Sequence, residues 1–190
     1  SLVRLKQDLG EESSVGFLAI GTAQSGHFNG TGGVDALFST SKLFGDKNLQ
    51  VGGAFAATYT SGAADALGTA HRVFVSYPND LVDFSASWER AGLGFNPEVG
   101  FLSRTSYQVF SSELSFGPRP KFLPWIRQMD IKPFELSYYI DDVTHALQSA
   151  YVEVRPLGVE LKSGEAFEFN LQRSGENLTE DFEIRDGFVI

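Results

Sequence analysis

Between Leu81 and Arg90 the chain reads LVDFSASWER, and its character changes at every second residue: Val82, Phe84, Ala86 and Trp88 fall on one side, Asp83, Ser85, Ser87 and Glu89 on the other. Side chains alternate across an extended strand, so this pattern specifies a strand with one apolar and one polar face. It recurs as Phe134, Leu136, Tyr138 and Ile140 against Glu135, Ser137, Tyr139 and Asp141, and as Phe167, Phe169 and Leu171 against Glu168, Asn170 and Gln172. No apolar stripe of helical or heptad period and useful length appears, so essentially no helix is expected. The fold class that follows is all-β, an antiparallel up-and-down meander. A transmembrane barrel and a soluble β-sandwich or barrel share this period and differ in the medium that touches the apolar side.

Strands are expected at 2–9, 14–24, 32–41, 49–60, 68–77, 81–90, 106–117, 125–140, 146–156 and 164–173, with a last one at 181–190. The connectors GEES (10–13), FGDKN (44–48), PND (78–80) and GVELKSG (158–164) carry the Gly, Pro, Asn and Asp of tight turns. Between them lie longer ones, QSGHFNGTG (24–32), SGAADA (61–66) and AGLGFNPEVGFLSRT (91–105). Short and long connectors alternate, which is the loop asymmetry of outer-membrane barrels. At 190 residues the chain suits one β domain spanning 1–190.

The formal net charge of −9 argues against a nucleic-acid partner, which needs a basic patch to neutralise phosphates. No run of about 18 apolar residues marks a transmembrane helix, but a spanning β-strand needs only about 9–11 residues. The opening SLVRLKQDLG lacks the apolar centre of a signal peptide, so an exported protein is expected to be represented here without its start. The chain has no Cys, which removes disulfides and thiolate chemistry, and its 17 Phe suit strands that present rings outward.

The candidate binding residues sit in the loop GFNPEVGFLSR, Gly94–Arg104. Pro97 fixes its own φ and holds Asn96 extended, while Gly94 and Gly100 allow bends on either side. Phe95 and Phe101 offer apolar anchors, Glu98 and Arg104 a charge pair, and Asn96 an amide for a neighbouring backbone. The expectation is an ordered loop folded over the polar side of the sheet, at a lumen or mouth; the plainer reading is a self-packed surface loop. Candidate membrane-interface residues are Trp88 and Trp125, with Arg119 and Lys121 of the GPRPK segment contacting lipid headgroups or lipopolysaccharide. The plainer reading of GPRP, and the favoured one, is a stiff turn. His27, His71 and His145 stand singly, no G-x-S-x-G elbow occurs, and no metal or cofactor is expected.

FNPEVGF with an arginine three residues on, GPRP some dozen residues later, SGENL and DFEI near the end, and an opening VRLKQDLGEESSVGFLAIGTAQSG with VDA at 34–36 together resemble a family of Gram-negative proteins over nearly the whole chain. The resemblance is to their uncharacterised C-terminal domain, an assumed outer-membrane β-barrel that follows an N-terminal DOMON-like module similar to family-9 carbohydrate-binding modules. Two departures stand out: Ser103 precedes Arg104 where the family often has a second basic residue, and the final DGFVI lacks the terminal aromatic of barrels. The resemblance implies an interior fragment without its signal, its sugar-binding-like module and its closing strands. It implies an outer-membrane location, with a lipid bilayer or lipopolysaccharide as surroundings and a saccharide-type ligand that is passed or handled at the surface. Two other readings stay open: a hydrolase with its site on extracellular loops around Asn96, Glu98 and Arg104, and a soluble periplasmic or extracellular domain that binds glycans through Trp88 and Tyr139. In a barrel fragment, Val82, Phe84, Ala86, Trp88, Phe134, Leu136, Tyr138, Phe167 and Phe169 share one outward surface and the sheet is open at both edges.

Overall fold

The computed structural model describes residues 1–100, 102, 104–177, 183–185 and 188–189. Strands β1 (Leu2–Leu9), β2 (Ser13–Gln24), β3 (His27–Leu43), β4 (Lys47–Thr60), β5 (Leu67–Pro78), β6 (Val82–Ala91) and β7 (Tyr107–Phe116) follow one another as antiparallel neighbours. After β8 (Ile126–Met129) come β9 (Ile131–Asp141), β10 (Leu147–Leu161) and β11 (Ala166–Glu176). The lateral order is β1-β2-β3-β4-β5-β6-β7-β9-β10-β11, with β8 paired to β10, making eleven strands in one sheet. Strands β12 (Glu183–Arg185) and β13 (Phe188–Val189) pair separately. β1 and β11 lie at opposite ends of the order and the sheet does not close into a barrel.

The register places the expected apolar set on one face. Trp88 lies between Val73 and Phe110, and Phe110 faces Tyr138. Phe84, Leu114 and Phe134 share a row, as do Ala86, Ser112, Leu136 and Val152. Leu157 and Val159 carry the face on to Phe169 and Phe167. Toward β1 it continues through Phe55, Val34, Phe17 and Leu5. These side chains converge on no dry core: Phe55 is 47% exposed, Phe110 42% and Phe169 49%. The accessible surface is 12447 Å², against roughly 8,900 Å² for a compact globular chain of this mass.

Several expected boundaries move: β10 runs on to Leu161, so GVELKSG is strand over its first half, and the expected strand 181–190 is described only as the paired β12 and β13. Two further changes have a local reason. The segment 24–32 is no loop: Ser25 (φ 50°) and Gly26 (φ 82°) form a two-residue hairpin, and β3 starts at His27. Two of the glycines beyond it make room within the strand: a Cβ on Gly30 would sit 3.0 Å from the Phe28 ring, and one on Gly33 3.1 Å from the Phe55 carbonyl oxygen. The segment 125–140 is split at Asp130, opposite a bulge in β10 at Arg155 and Pro156. Pro133 and Pro156 have no N–H for the ladder, and a bulge takes up the unpaired residue.

A sheet with two free edges and one bare apolar face is expected to self-associate in buffer. Analytical ultracentrifugation of the chain should show large, broad species in water and a monomer in neutral detergent micelles. A monodisperse monomer in buffer would mean that the face is covered.

Candidate functional site

The connection 92–106 crosses the polar face of the sheet. It leaves β6 through Gly92, whose N–H donates to Thr69 O at 3.0 Å, and turns as the Gly100 N–H donates to Pro97 O at 2.7 Å. Phe95 is buried with Ala91, Tyr107 and Val109, and Leu102, Ala56, Ala70 and Tyr139 pack around them. A cavity of about 170 Å³ remains between the loop and β4–β7. Phe101, the second anchor expected from sequence, lies outside the described residues. Contact with β5 is intimate, since a Cβ on Gly68 would lie 2.0 Å from the Gly94 carbonyl carbon and the Phe95 nitrogen. Only glycine fits there.

Asn96 acts through its backbone and its side chain is exposed. The Asn96 N–H donates to Thr58 Oγ1 at 3.0 Å, and its carbonyl accepts from Asn29 Nδ2 at 2.9 Å. Asn29 and Thr58 are 2% and 1% exposed, and Asn29 also donates to Thr60 Oγ1 at 2.8 Å. Buried polar groups of this kind are costly unless paired, so these two side chains fix the crossing point of the loop.

Glu98 and Arg104 do not pair with each other. Glu98 accepts from His27 Nε2 at 2.7 Å and lies 3.5 Å from Thr22 Oγ1, at the β2–β3 hairpin. Arg104 reaches the other way, with its guanidinium 4.7 Å from the centre of the Tyr139 ring and 3.6 Å from Glu176 Oε1 on β11. The loop is a strap held at both sides of the sheet. Partners already in place on β3 and β11 satisfy the two charges separately, and the short sequence separation of Glu98 and Arg104 does not reveal that.

Further along the same face stands a charged wall that sequence reading missed. Lys132 Nζ bonds Glu135 and lies 3.3 Å from Glu113 and 3.5 Å from Glu153. Arg155 bonds Asp130 and lies 3.7 Å from Glu153 and 3.3 Å from Glu168. Strict alternation from Phe134 back would put Lys132 on the apolar face. The register slip between Leu114 and Phe116 on β7, which pair with Phe134 and Ile131, adds a residue and turns Lys132 to the polar side. The signal in the sequence was Pro133, which marks the irregularity without giving its sense. Nearer the strap, the Tyr107 hydroxyl bonds Glu89.

The remaining candidates lie apart from the strap. Trp88 is on the apolar face, edge-on to His71 at 4.6 Å and stacked on Phe110 at 6.1 Å, with its N–H donated to Gln108 Oε1 at 3.3 Å. Trp125, 56% exposed, is at the opposite end of the strands with exposed Lys121 and with Arg119, which pairs with Asp80 at 2.6 Å. Among the described residues no three His, Asp or Glu side chains converge as metal ligands. No family model, curated protein or solved structure matches the chain.

Gly68→Ala is expected to undock the strap at a cost of about 1–3 kcal/mol, seen as protease cleavage within 92–106 while the circular dichroism of the sheet is kept. Lys132→Met leaves Glu153, whose side chain is 6% exposed, with one cation fewer and should destabilise the chain by about 3 kcal/mol in urea. Adding Glu153→Gln should recover part of that loss, because the two sites are coupled.

Proposed function

We propose that the chain is a segment of an outer-membrane β-barrel whose polar face, crossed by the strap 92–106, takes part in the passage or surface handling of a saccharide-type ligand. The observation that carries this reading is the bare apolar face. Ten strands in lateral order at a spacing of roughly 4.8 Å, with a band about 25 Å tall, make an apolar area on the order of 1,000 Å². The largest patch on a soluble monomer is about 300–600 Å². Hydrocarbon is the medium in which such a face costs nothing. A soluble sandwich would lay a second sheet across it, and no such layer exists among the described residues.

Three further features agree. Strands β2 to β7 and β9 to β11 have 10–17 residues each, enough for tilted strands to cross a bilayer. Ion pairs cover the opposite face, as suits a wall that meets water. Every interior strand pairs on both sides, so its backbone groups are satisfied without water. The saccharide part rests on the family resemblance and on a polar face furnished with hydroxyls and carboxylates.

Fractionation of cells making the chain with an export signal tests the proposal, together with migration on gels before and after boiling. Recovery in the outer membrane with heat-modifiable migration is expected; recovery in the soluble periplasm would overturn it. In bilayers, Phe55→Arg at the middle of β4 should cost about 2–4 kcal/mol. Ser85→Lys, on the polar face beside Glu113, should cost less than about 1 kcal/mol.

A further inference from the structure

We infer that the β9–β10–β11 corner of the polar face is a binding cleft for a neutral, polyhydroxylated ligand, with Tyr151 as its platform. The inference rests on the saccharide part of the function proposed above and gives that ligand a site. Register sets two rows side by side on this face: Ser137, Tyr151 and Ser174 in one, Tyr139, Ser149 and Glu176 in the next. Rings and hydroxyls therefore alternate in both directions across β9 and β10, and β11 adds the Ser174 hydroxyl and the Glu176 carboxylate. Arg104 of the strap overhangs the second row, against the Tyr139 ring and Glu176. The open cleft so formed has a volume of about 340 Å³, at the small end of the range for sites that hold small molecules.

The furnishing of the cleft selects the class of ligand. Arg104 and Glu176 oppose each other in charge, so the cleft offers no net attraction to an ion. Hydroxyls dominate what is left. Ser137 shares a hydrogen bond with Ser111 at 3.2 Å, while Ser149 and Ser174 make no side-chain hydrogen bond among the described residues. Such groups both donate and accept, which matches the hydroxyls of a sugar. Tyr rings complement the C–H faces of a pyranose, being amphipathic and costing little conformational entropy.

The platform is held before a ligand arrives. The Tyr151 hydroxyl donates to Glu153 Oε2 at 2.6 Å, and Gln172 Nε2 donates to the same oxygen at 2.7 Å. Lys132 stands 3.5 Å from the other Glu153 oxygen. Tyr139 is wedged between Arg104 and the Tyr107 ring, whose centre is 5.8 Å away. Walls fixed in this way spare a ligand the entropy of ordering them.

The test uses the chain folded in detergent micelles, with maltotriose, cellotriose and xylotriose as neutral probes and trigalacturonate as an anionic one, followed by calorimetry and tyrosine fluorescence. Saturable binding of at least one neutral trisaccharide is expected, with trigalacturonate weaker. Tyr151→Ala and Ser149→Val should each weaken binding by about tenfold or more, and Tyr151→Phe, which keeps the ring, by less. Silence of all three neutral sugars overturns the inference. So does a preference for the anion, or binding indifferent to both variants in chains that retain their circular dichroism. Heat-modifiable migration of the same samples judges the membrane reading independently: migration without binding removes the cleft alone, and binding without migration removes the barrel alone.

Discussion

Everything in this molecule follows from a sheet whose two faces need different surroundings. The apolar face carries rings and branched chains from β1 to β11 and, among the described residues, finds no second layer to pack on. A chain of this length in water gains most of its stability by removing such surface from solvent, at about 25 cal/mol for each Å². Here the sheet is instead held laterally, by ladders between neighbours, and the apolar area is left for the medium to satisfy. That inversion accounts for the large accessible surface. It also accounts for a buried apolar set that, among the described residues, holds only Ala91, Phe95, Tyr107, Val109 and Ile126, the first four in one cluster at the strap.

The polar face solves a different problem. Carboxylates and cations stand close together there, and each is tolerable only with partners. Glu153 shows how this is done: it accepts from Tyr151 and Gln172 and lies within 4 Å of Lys132 and Arg155. Among the described residues the strap adds the only convergent apolar packing, and its path is set by shape and hydrogen bonding together. Gly68 lets Gly94 come down onto β5, Asn29 and Thr58 hold the Asn96 peptide, and Glu98 and Arg104 tie the loop to opposite sides. Fastened at both ends, the strap is a fixed wall of whatever space the polar face encloses.

Much of the fold was legible because period-two alternation is a direct image of the pleat. LVDFSASWER and FELSYYID assign faces without ambiguity, and the strands they predict are the strands found. Where reading failed, the residue types were shared between strand and loop. QSGHFNGTG has the composition of a connector, yet Gly30 makes room for the Phe28 ring in β3, as Gly33 just beyond does for the Phe55 carbonyl of β4, and only Ser25 and Gly26 turn. The strap was legible as an ordered loop over the polar side, from Pro97, its flanking glycines and Phe95. Its charge partners were not, because Glu98 meets His27 and Arg104 meets Glu176, each more than 70 positions away along the chain.

The irregularities carry more of the polar face than the regular strands do. Were β9 and β10 free of bulges, alternation would send Lys132 to the side of Phe134, and beyond Arg155 it would turn Leu157 and Val159 to the side of Glu153. One extra residue near Pro133 and another at Pro156 reverse the parity at those points. The apolar face stays continuous through Ile131, Leu157 and Val159, while Lys132 and Arg155 both arrive at Glu153. Glu153, held by the two cations, can accept the Tyr151 hydroxyl and set the attitude of that ring. Two prolines that cannot donate to a ladder thus lead, through a slip in register and a pair of ion contacts, to the orientation of one aromatic side chain on the polar face.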